Sequence, residues 1–280
     1  MRISIVTPSY NQASYLEETL RSVASQRAFV HEYFVYDGGS DDGSVGIIKR
    51  YSNWIDHWVS EKDDGQGDVI RRGFEKTTGD VLYWLNSDDV LVPGALKRVH
   101  ERFNRRPDLD VLTGYAVFID ERSRILNMHR GPHDSPNWLR FGYMRLHQPT
   151  CFFRRSAYEA AGGIDPSLHC VLDTELWYRL MNTTDRWGHT DSFVAAHRVH
   201  SETKGQRLTE QYQRERSELK RRYRCAKVDI ISHTIGRIAY YISQAASGRA
   251  HSNIRDRRQL TGKPLTEVFG DWRLDTCADL

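Results

Sequence analysis

The sequence predicts an α/β protein in which helices flank a mainly parallel, Rossmann-like sheet and a helical extension follows at the C-terminus. Over the first 105 residues, short β-branched or aromatic runs alternate with longer segments that carry apolar residues at helical spacing. Several of the short runs end in polar turn sequences rich in Gly, Ser and Asp. This alternation implies right-handed crossovers between parallel strands, with the polar turns at one edge of the sheet.

The individual elements follow from the local pattern. Residues 3–8 form a β-branched run that ends at Pro8, which predicts a buried strand. In residues 11–26, Leu16, Leu20 and Val23 recur at helical spacing and predict a helix. The other elements predicted here are strands over residues 33–36, 58–60 and 80–85 and helices over residues 45–51, 66–77 and, after Pro93, up to residue 105.

The second part of the chain is less regular. Residues 111–119 and 124–128 predict a hairpin, and residues 141–153 are aromatic and irregular. The remaining predicted helices cover residues 156–161, ended by Gly162-Gly163, and residues 173–181, and a basic helical pattern covers residues 207–243. We therefore expect one unit over residues 1–204 and a mainly helical extension over residues 205–280, packed on it or tethered to it.

The composition predicts a soluble globular protein, with 28% charged and 39% hydrophobic residues. No apolar run reaches the roughly 18 to 20 residues that cross a bilayer, and the N-terminal residues do not resemble a secretory signal. We therefore expect a cytoplasmic protein. The four cysteines are scattered, so the sequence predicts neither a zinc site nor a disulfide framework.

The net charge of +3 is unevenly distributed. Residues 207–258 carry 13 Lys or Arg against 5 Asp or Glu, a local excess of about +8. This basic part is either an interfacial helix that meets anionic lipid at the inner face of the cytoplasmic membrane, or a solvated helix. It lacks the interleaved aromatic and glycine motifs of nucleic-acid readers, so we expect no nucleic acid as a partner.

Three polar segments each follow a predicted strand, at residues 7–9, 37–40 and 86–89. In open sheets of this class, ligands bind at the carboxyl ends of the strands where the strand order reverses, so the three segments are expected to meet at one rim. Asp88 and Asp89 supply carboxylate oxygens that suit Mg²⁺ or Mn²⁺, and such a cation can bridge the phosphates of a nucleoside diphosphate. The alternative is a turn and helix cap before Pro93.

Two further segments offer groups for a nucleotide. Asp37 lies beside Gly38-Gly39, which suits a hydrogen bond to a base edge, although such a sequence is also typical of an exposed turn. Residues 62–68 place carboxylates and an amide before a predicted helix, in which Arg71 and Arg72 offer charge-assisted donors to a diphosphate. The alternative for either arginine is a solvated surface charge.

Taken in order, these segments resemble the family 2 glycosyltransferases of the A-type fold. The motifs that carry the resemblance are Thr7-Pro8-Ser9-Tyr10-Asn11, residues 37–44, residues 60–68, Gly79-Asp80, residues 84–89 and Pro93-Gly94-Ala95-Leu96. Further along, residues 162–165 and 172–177 resemble the acceptor-side and catalytic-base segment of the family, which extends the resemblance to about residue 204. The resemblance implies that residues 1–204 form a nucleotide-sugar-binding and catalytic domain.

The resemblance also implies roles for single residues. Asp88 resembles the metal ligand of the family's Asp-any-Asp motif, Asn86 stands in place of its first aspartate, and Asp89 is a candidate to share the metal. Residues 198–200 resemble a late segment whose histidine, here His200, approaches the metal or diphosphate; a structural or surface histidine is the alternative. The donor-binding residues implied are Thr7, Pro8, Ser9, Tyr10, Asp37, Gly39, Asp64, Gln66, Asp68, Arg71, Asn86, Ser87 and Asp88.

Asp173 resembles the base that deprotonates the acceptor hydroxyl, although the family commonly has Glu-Asp where this chain has Leu172-Asp173. A carboxylate suits this task because attack of a hydroxyl on the anomeric carbon requires removal of a proton. Asp173 also suits a helix cap, and the two roles are compatible. The acceptor-side residues implied are His147, Gln148, Gly163, Glu175 and Trp177.

The implied function is inverting transfer of a hexose from a UDP-, GDP- or dTDP-linked sugar to a hydroxyl of a glycan or polyprenyl-linked acceptor. The implied cofactor is Mn²⁺ or Mg²⁺, and the implied setting is the synthesis of bacterial surface polysaccharide or glycoprotein. One alternative is a non-catalytic module that binds nucleotide sugar or acts as a scaffold. Another is a sugar nucleotidyltransferase, which would need a Gly-rich, basic loop after the first strand, and residues 7–10 do not form one.

Overall fold

The structure is a computed structural model that describes residues 1–130, 146–201, 208–223 and 248–272, and also Ile238, Ile242, Ala245 and Ala246. Its strands are β1 (Ile3–Ser9), β2 (Glu32–Asp37), β3 (His57–Ser60), β4 (Val81–Trp84), β5 (Val90–Leu91), β6 (Val111–Ile119), β7 (Ile125–His129), β8 (Cys151–Arg154) and β9 (Trp187–Arg198). Its α-helices are α1 (Ala13–Ala24), α2 (Ser44–Arg50), α3 (Gln66–Lys76), α4 (Ala95–Arg105), α5 (Arg155–Ala160), α6 (Leu172–Thr183), α7 (Thr209–Arg222), α8 (Arg249–Leu260) and α9 (Leu265–Phe269).

All nine strands belong to one sheet with the order β3-β2-β1-β4-β8-β6-β9-β5, and β7 pairs with β6. The four strands β3, β2, β1 and β4 are parallel, as the alternation of strands and helices predicts. β8 then joins β4 and β6 in antiparallel pairing, and β9 runs parallel to β6. The hairpin predicted from residues 111–128 is confirmed as the antiparallel pair β6 and β7.

The sheet is buried on both faces, which explains the unbroken apolar runs of its first strands. All seven residues of β1 are buried. Ile3 and Ile5 pack with Leu16 and Leu20 of α1 on one face, whereas Val6 packs with Phe74 of α3 on the other. Alternate side chains of one strand therefore enter opposite layers of helices.

Three of the described strands, β5, β8 and β9, are not predicted from the sequence. The prediction of irregular structure for residues 141–153 is wrong for residues 151–153, which belong to β8, while residues 131–145 lie outside the described residues. β8 is short and its Phe152 and Phe153 are fully buried on opposite faces, so the sequence shows no polar alternation there. β9 is the longest of the three, and it borders the site described below.

The described parts of the C-terminal extension contact the first unit. The predicted basic helix is confirmed over α7, whose Leu219 is buried. In α8, Asp256 forms a partly buried ion pair of 2.5 Å with Arg130, which follows β7. The Trp272 indole N–H donates to the Leu91 carbonyl of β5 at 2.7 Å. Among the described residues, no helix combines the length and apolarity needed to span a membrane.

His189 of β9 gives the fold a specific acid sensitivity. It is 2% exposed against the Tyr115 ring, and burial lowers its pKa to about 4, although Asp191 opposes this effect. Below pH ~6.5 the His189 side chain is protonated in the unfolded chain but stays neutral in the folded chain. The free energy of unfolding is therefore unaffected by this group above that pH and decreases as the pH falls towards 4. The loss expected from this group is about 3 kcal/mol.

We therefore expect His189→Phe to flatten the acid limb of the unfolding free energy measured by urea denaturation between pH 7 and pH 4.5. His251→Gln, which changes an exposed histidine of α8, is the matched control and is expected to leave the limb unchanged. An equal acid limb in the wild type and in His189→Phe would contradict the prediction.

Candidate active site

The predicted rim forms around the ends of β1 and β4. β1 pairs with β2 on one side and with β4 on the other, so the strand order reverses between β1 and β4. Thr7 lies within β1, and its buried hydroxyl shares a hydrogen bond of 3.0 Å with the Tyr33 hydroxyl. Pro8 and Ser9 complete the strand, and Tyr10, 63% exposed, follows it. The Thr7 side chain thus faces the core, while the end of the strand leads to the rim.

Asp37 is the last residue of β2, and three donors hold its carboxylate. The backbone N–H and the hydroxyl of Ser40 donate to it at 2.8 and 2.5 Å, and the Ser60 hydroxyl donates at 2.7 Å. Ser60 ends β3, so two neighbouring strands fix this side chain. Gly39 has a φ of +80°, in the left-handed region that glycine adopts without strain. The predicted base-binding carboxylate is therefore a rigid group at the rim.

The loop before α3 and the first turns of α3 carry four of the predicted donor-binding residues, Asp64, Gln66, Asp68 and Arg71. Asp64 is exposed in the loop. Asp68 and Arg71 pair with each other at 2.7 Å, and Arg71 also pairs with Glu75 at 2.8 Å. The Arg71 guanidinium therefore has two carboxylate partners within its own helix, and would have to exchange at least one of them to bind a diphosphate.

Asn86, the residue that stands in place of an aspartate, links three segments. Its Oδ1 accepts a hydrogen bond of 2.7 Å from the Gln66 amide, and its Nδ2 donates to Gln148 Oε1 at 3.0 Å. Gln148 in turn donates to the Trp84 carbonyl at 2.7 Å. The asparagine amide accepts from one partner and donates to the other, which an ionised aspartate cannot do because it has no donor. The neighbouring Ser87 is 5% exposed, and its carbonyl accepts from α1.

Asp88 lies next to His200, with 3.0 Å between Oδ2 and Nε2. Adjacent ligands of an octahedral cation with bonds of about 2.1 Å lie about as far apart, so the pair fits a divalent cation with two protein ligands. No group of three or more His, Cys, Asp or Glu side chains that could hold a metal occurs among the described residues. A cation here would therefore take its other ligands from phosphate and water, as Mg²⁺ commonly does in nucleotide sites.

Asp89 is fully buried and has partners other than His200. Its Oδ1 accepts the backbone N–H of Arg198 at 2.9 Å and lies 3.2 Å from His197 Nδ1. Burial raises the pKa of Asp89. Burial alone would lower the pKa of His197, but the Asp89 carboxylate raises it to about 9. Asp88 and Asp89 thus have separate partners, and Asp89 anchors the end of β9.

The sequence does not predict that residues of β9 belong to the site. Only His200, just after the strand, was named, whereas His197 contacts Asp89 and the Arg198 side chain is 1% exposed between Asp88 and Glu18. The apolar run 193–196 before them was the available signal for a strand. β5, which pairs with β9, is only two residues long, so the pairing that brings His197 to Asp89 and His200 to Asp88 leaves little trace in the sequence.

Asp173 lies in the first turn of α6 and is half-buried. Its Oδ1 accepts the N–H of Thr174 at 2.6 Å, but the predicted helix cap is wrong, because α6 begins at Leu172 with Val171 at the N-cap position. Burial raises the pKa of the Asp173 carboxyl. Asp89, Asp88 and Asp173 all act to raise the pKa of His197, so each of these carboxylates is within electrostatic range of this imidazole.

The predicted acceptor-side residues separate into two groups. His147 and Gln148 lie near the rim, where His147 Nε2 is 3.1 Å from His129 Nδ1. Glu175 is 2% exposed and pairs with Arg179 at 2.6 Å. The second group also includes Trp177, stacked on Trp84 with 5.8 Å between ring centroids, and the half-buried Gly163, which follows the end of α5 with a φ of +71°.

Comparison with known protein families identifies one family whose sequence profile this chain matches. The glycosyl transferase family 2 profile matches residues 4–162, more than half of the chain. The chain belongs to this family. An uncharacterized glycosyltransferase of Nostoc is 29% identical over 182 residues, which cover 59% of this chain and 55% of that protein. Bacillus subtilis TuaG, whose name refers to teichuronic acid biosynthesis, is 28% identical over 123 residues, covering 42% of this chain and 48% of TuaG.

Two solved structures show the same fold. TarS of S. aureus superimposes with a TM-score of 0.58 at 20% identity, covering 70% of this chain and 60% of the TarS chain. The mannosyltransferase PcManGT of Pyrobaculum calidifontis, solved with GDP-Man and Mn²⁺, gives a TM-score of 0.56 at 15% identity, covering 89% of this chain and 75% of that chain. The predicted A-type glycosyltransferase fold is confirmed.

Proposed function

We propose that the protein is an inverting, divalent-metal-dependent glycosyltransferase that moves a hexose from a nucleoside diphosphate sugar to a hydroxyl of a glycan or lipid-linked acceptor. The observation that carries the proposal is the metal-compatible pair of Asp88 and His200, with 3.0 Å between Oδ2 and Nε2. The half-buried carboxyl of Asp173 supports it, because Asp173 and Asp88 both act electrostatically on His197. A cation-binding pair and a base are the two functions that such a transfer needs near one another.

In the proposed reaction, Asp37 and the end of β1 hold the nucleoside, and Asp173 accepts the proton of the acceptor hydroxyl. The acceptor oxygen forms a bond to the anomeric carbon as the bond from that carbon to the phosphate oxygen breaks. The electron pair of the broken bond leaves with the nucleoside diphosphate, and attack from the opposite face inverts the anomeric centre. A divalent cation held by Asp88 and His200 would offset the negative charge of the departing diphosphate.

The proposed setting is the synthesis of bacterial surface polysaccharide or glycoprotein at the cytoplasmic face of the membrane. The name of TuaG supports a polysaccharide. The exposed face of α8 supports contact with anionic lipid, since Ile254 is 56% exposed and its neighbours Arg255, Arg257 and Arg258 are exposed cations. The chain spans 55% of the length of the Nostoc relative.

The test is a panel of UDP-, GDP- and dTDP-sugars, each with and without Mn²⁺, read first as a shift in melting temperature. The donor that stabilises the protein is then supplied with glycan and polyprenyl-linked acceptors, and the anomeric configuration of the product is determined by NMR. We expect one donor to bind in a metal-dependent way and the product to have the inverted configuration. Absence of a metal-dependent shift with every donor would count against the proposal.

We expect Asp88→Asn to weaken Mn²⁺-dependent donor binding at least about tenfold, because an amide is a poorer ligand than a carboxylate for a divalent cation. Calorimetric titration of the donor with and without Mn²⁺ measures this effect. Asp108→Asn, which changes an exposed carboxylate paired with Arg106, is the matched control. Equal Mn²⁺ dependence in Asp88→Asn and the wild type would exclude Asp88 as a ligand.

A further inference from the structure

Helix α7 of the C-terminal extension contacts the segment that leads into α6. The Glu215 carboxylate accepts three consecutive backbone N–H groups, from His169 at 3.1 Å, Cys170 at 2.8 Å and Val171 at 3.2 Å. The Gln211 amide donates to the same carboxylate at 3.0 Å, which orients it from one helical turn away. One side chain of the extension therefore fixes three residues directly before α6.

The same face of α7 continues along α6. Leu219, four residues after Glu215, is 2% exposed. Tyr223, four residues further and just past the helix, stacks on Tyr178 with 5.1 Å between ring centroids, and its hydroxyl donates to Glu175 at 2.5 Å. Residues spaced by four share one face of a helix. The contact is thus a continuous stripe and not a single chance bond.

The N-terminus of α6 depends on this contact. Val171 occupies the N-cap position, and no side-chain hydrogen bond of its own caps the helix. A helix begins with backbone N–H groups that lack partners, and the positive end of its dipole favours a carboxylate nearby. Glu215 supplies that carboxylate from another helix, binding the N–H groups of the N-cap and of the two residues before it. Asp173 follows two residues after Val171, in the first turn.

We propose that Glu215 is a positioning residue for Asp173, so that the C-terminal extension sets the geometry of the transfer reaction through α7. The proposal rests on the proposed function, in which Asp173 is the base. A base displaced by even about 1 Å can cost up to about a hundredfold in rate. Releasing the three amides allows the segment and the first turn of α6 to move, which lowers the rate of transfer without removing the base.

The experiment compares Glu215→Gln with Glu218→Gln in the full chain. Both remove one negative charge from α7, but Glu218 is exposed and lies off the packed face. For Glu215→Gln we expect kcat to fall on the order of tenfold while donor Kd changes less than about twofold. Hydrogen exchange of residues 169–174 is expected to accelerate in Glu215→Gln and to stay at the wild-type rate in Glu218→Gln.

A second comparison separates positioning from general support of the fold. If Glu215 acts through Asp173, then adding Glu215→Gln to Asp173→Asn should leave the residual rate unchanged, because effects on one functional unit are not additive. Wild-type kcat or wild-type exchange in Glu215→Gln, a donor Kd weakened as much as kcat, or a further tenfold loss in the double variant would each overturn the proposal. An active Asp173→Asn protein would instead overturn the base assignment itself, whatever Glu215 does.

Discussion

Replacing Asp173 by Asn is expected to lower kcat about a thousandfold, because loss of a general base typically costs between about 10² and 10⁴ in rate. The asparagine oxygen can still accept the N–H of Thr174, which Asp173 binds at 2.6 Å, so α6 should keep its first turn. Donor affinity should therefore be unchanged. The measurement is nucleotide release in the presence of acceptor, with the donor Kd determined separately by calorimetry.

The pKa of Asp173 adds a second signature. Burial raises this pKa, and the base works only when deprotonated, so kcat should fall with decreasing pH at a higher pH than for an ordinary carboxyl. A raised carboxyl pKa also means that the ionised group opposes folding above its unfolded pKa of ~3.9. Asp173→Asn should therefore be at least as stable as the wild type at neutral pH, although it is inactive.

The control for this variant is Glu159→Gln, which changes an exposed carboxylate on α5 and should leave kcat unaltered. If the wild type and Asp173→Asn bind donor equally and neither releases nucleotide with any acceptor, the protein is a binding or scaffold module. Retention of wild-type kcat in Asp173→Asn would assign the proton transfer to another group.

The sequence predicts the elements that local pattern determines. β1 to β4 and the helices between them lie within one or two residues of the predicted bounds, because each carries its own apolar periodicity. The three polar segments meet at one rim for the same reason, since parallel strands place their carboxyl ends together. The sequence does not predict β9. This strand pairs with β5, which is only two residues long and lies about 100 residues earlier in the chain, so local pattern gives little sign of the pairing.

The roles of Asn86 and Asp89 show what the sequence cannot convey. In the sequence, Asn86 differs from the family's first aspartate only by the loss of a negative charge. In the structure, its amide forms hydrogen bonds to both Gln66 and Gln148. The two partners lie 20 residues before it and 62 residues after it, so neither is visible in local pattern. The sequence offers Asp89 as a second candidate metal ligand, whereas in the structure its carboxylate contacts His197 and the backbone N–H of Arg198 in β9. Partners contributed by distant strands decide such roles.

Arg198 connects the backbone of Asp88 to two other segments of the protein. It is 1% exposed, and its guanidinium donates to the Asp88 carbonyl at 2.8 Å, to the Asp120 carbonyl at 2.9 Å and to the Ser123 hydroxyl at 3.0 Å. It also pairs with Glu18 of α1 at 2.5 Å. One cation therefore joins α1, the turn after β4 and the turn between β6 and β7.

Arg198→Met is expected to lower the free energy of unfolding by about 3 to 5 kcal/mol, because breaking a buried pair leaves its partners without a counter-charge or donor. Urea denaturation at pH 7 measures the loss. Arg50→Ala is the matched control, because Arg50 pairs with Glu17 at 3.0 Å where both side chains are more than half exposed. Such a surface pair is expected to contribute less than about 1 kcal/mol.

Adding Glu18→Gln to Arg198→Met tests whether the uncompensated carboxylate is the cause. Neutralising Glu18 removes the partly buried charge that Arg198→Met leaves behind, so the double variant should be more stable than the sum of the single losses predicts. Strict additivity would assign the loss to the backbone carbonyls of Asp88 and Asp120 instead. In that case Arg198 acts as a donor that shapes the turn after β4, and the Mn²⁺-dependent donor shift should fall together with stability.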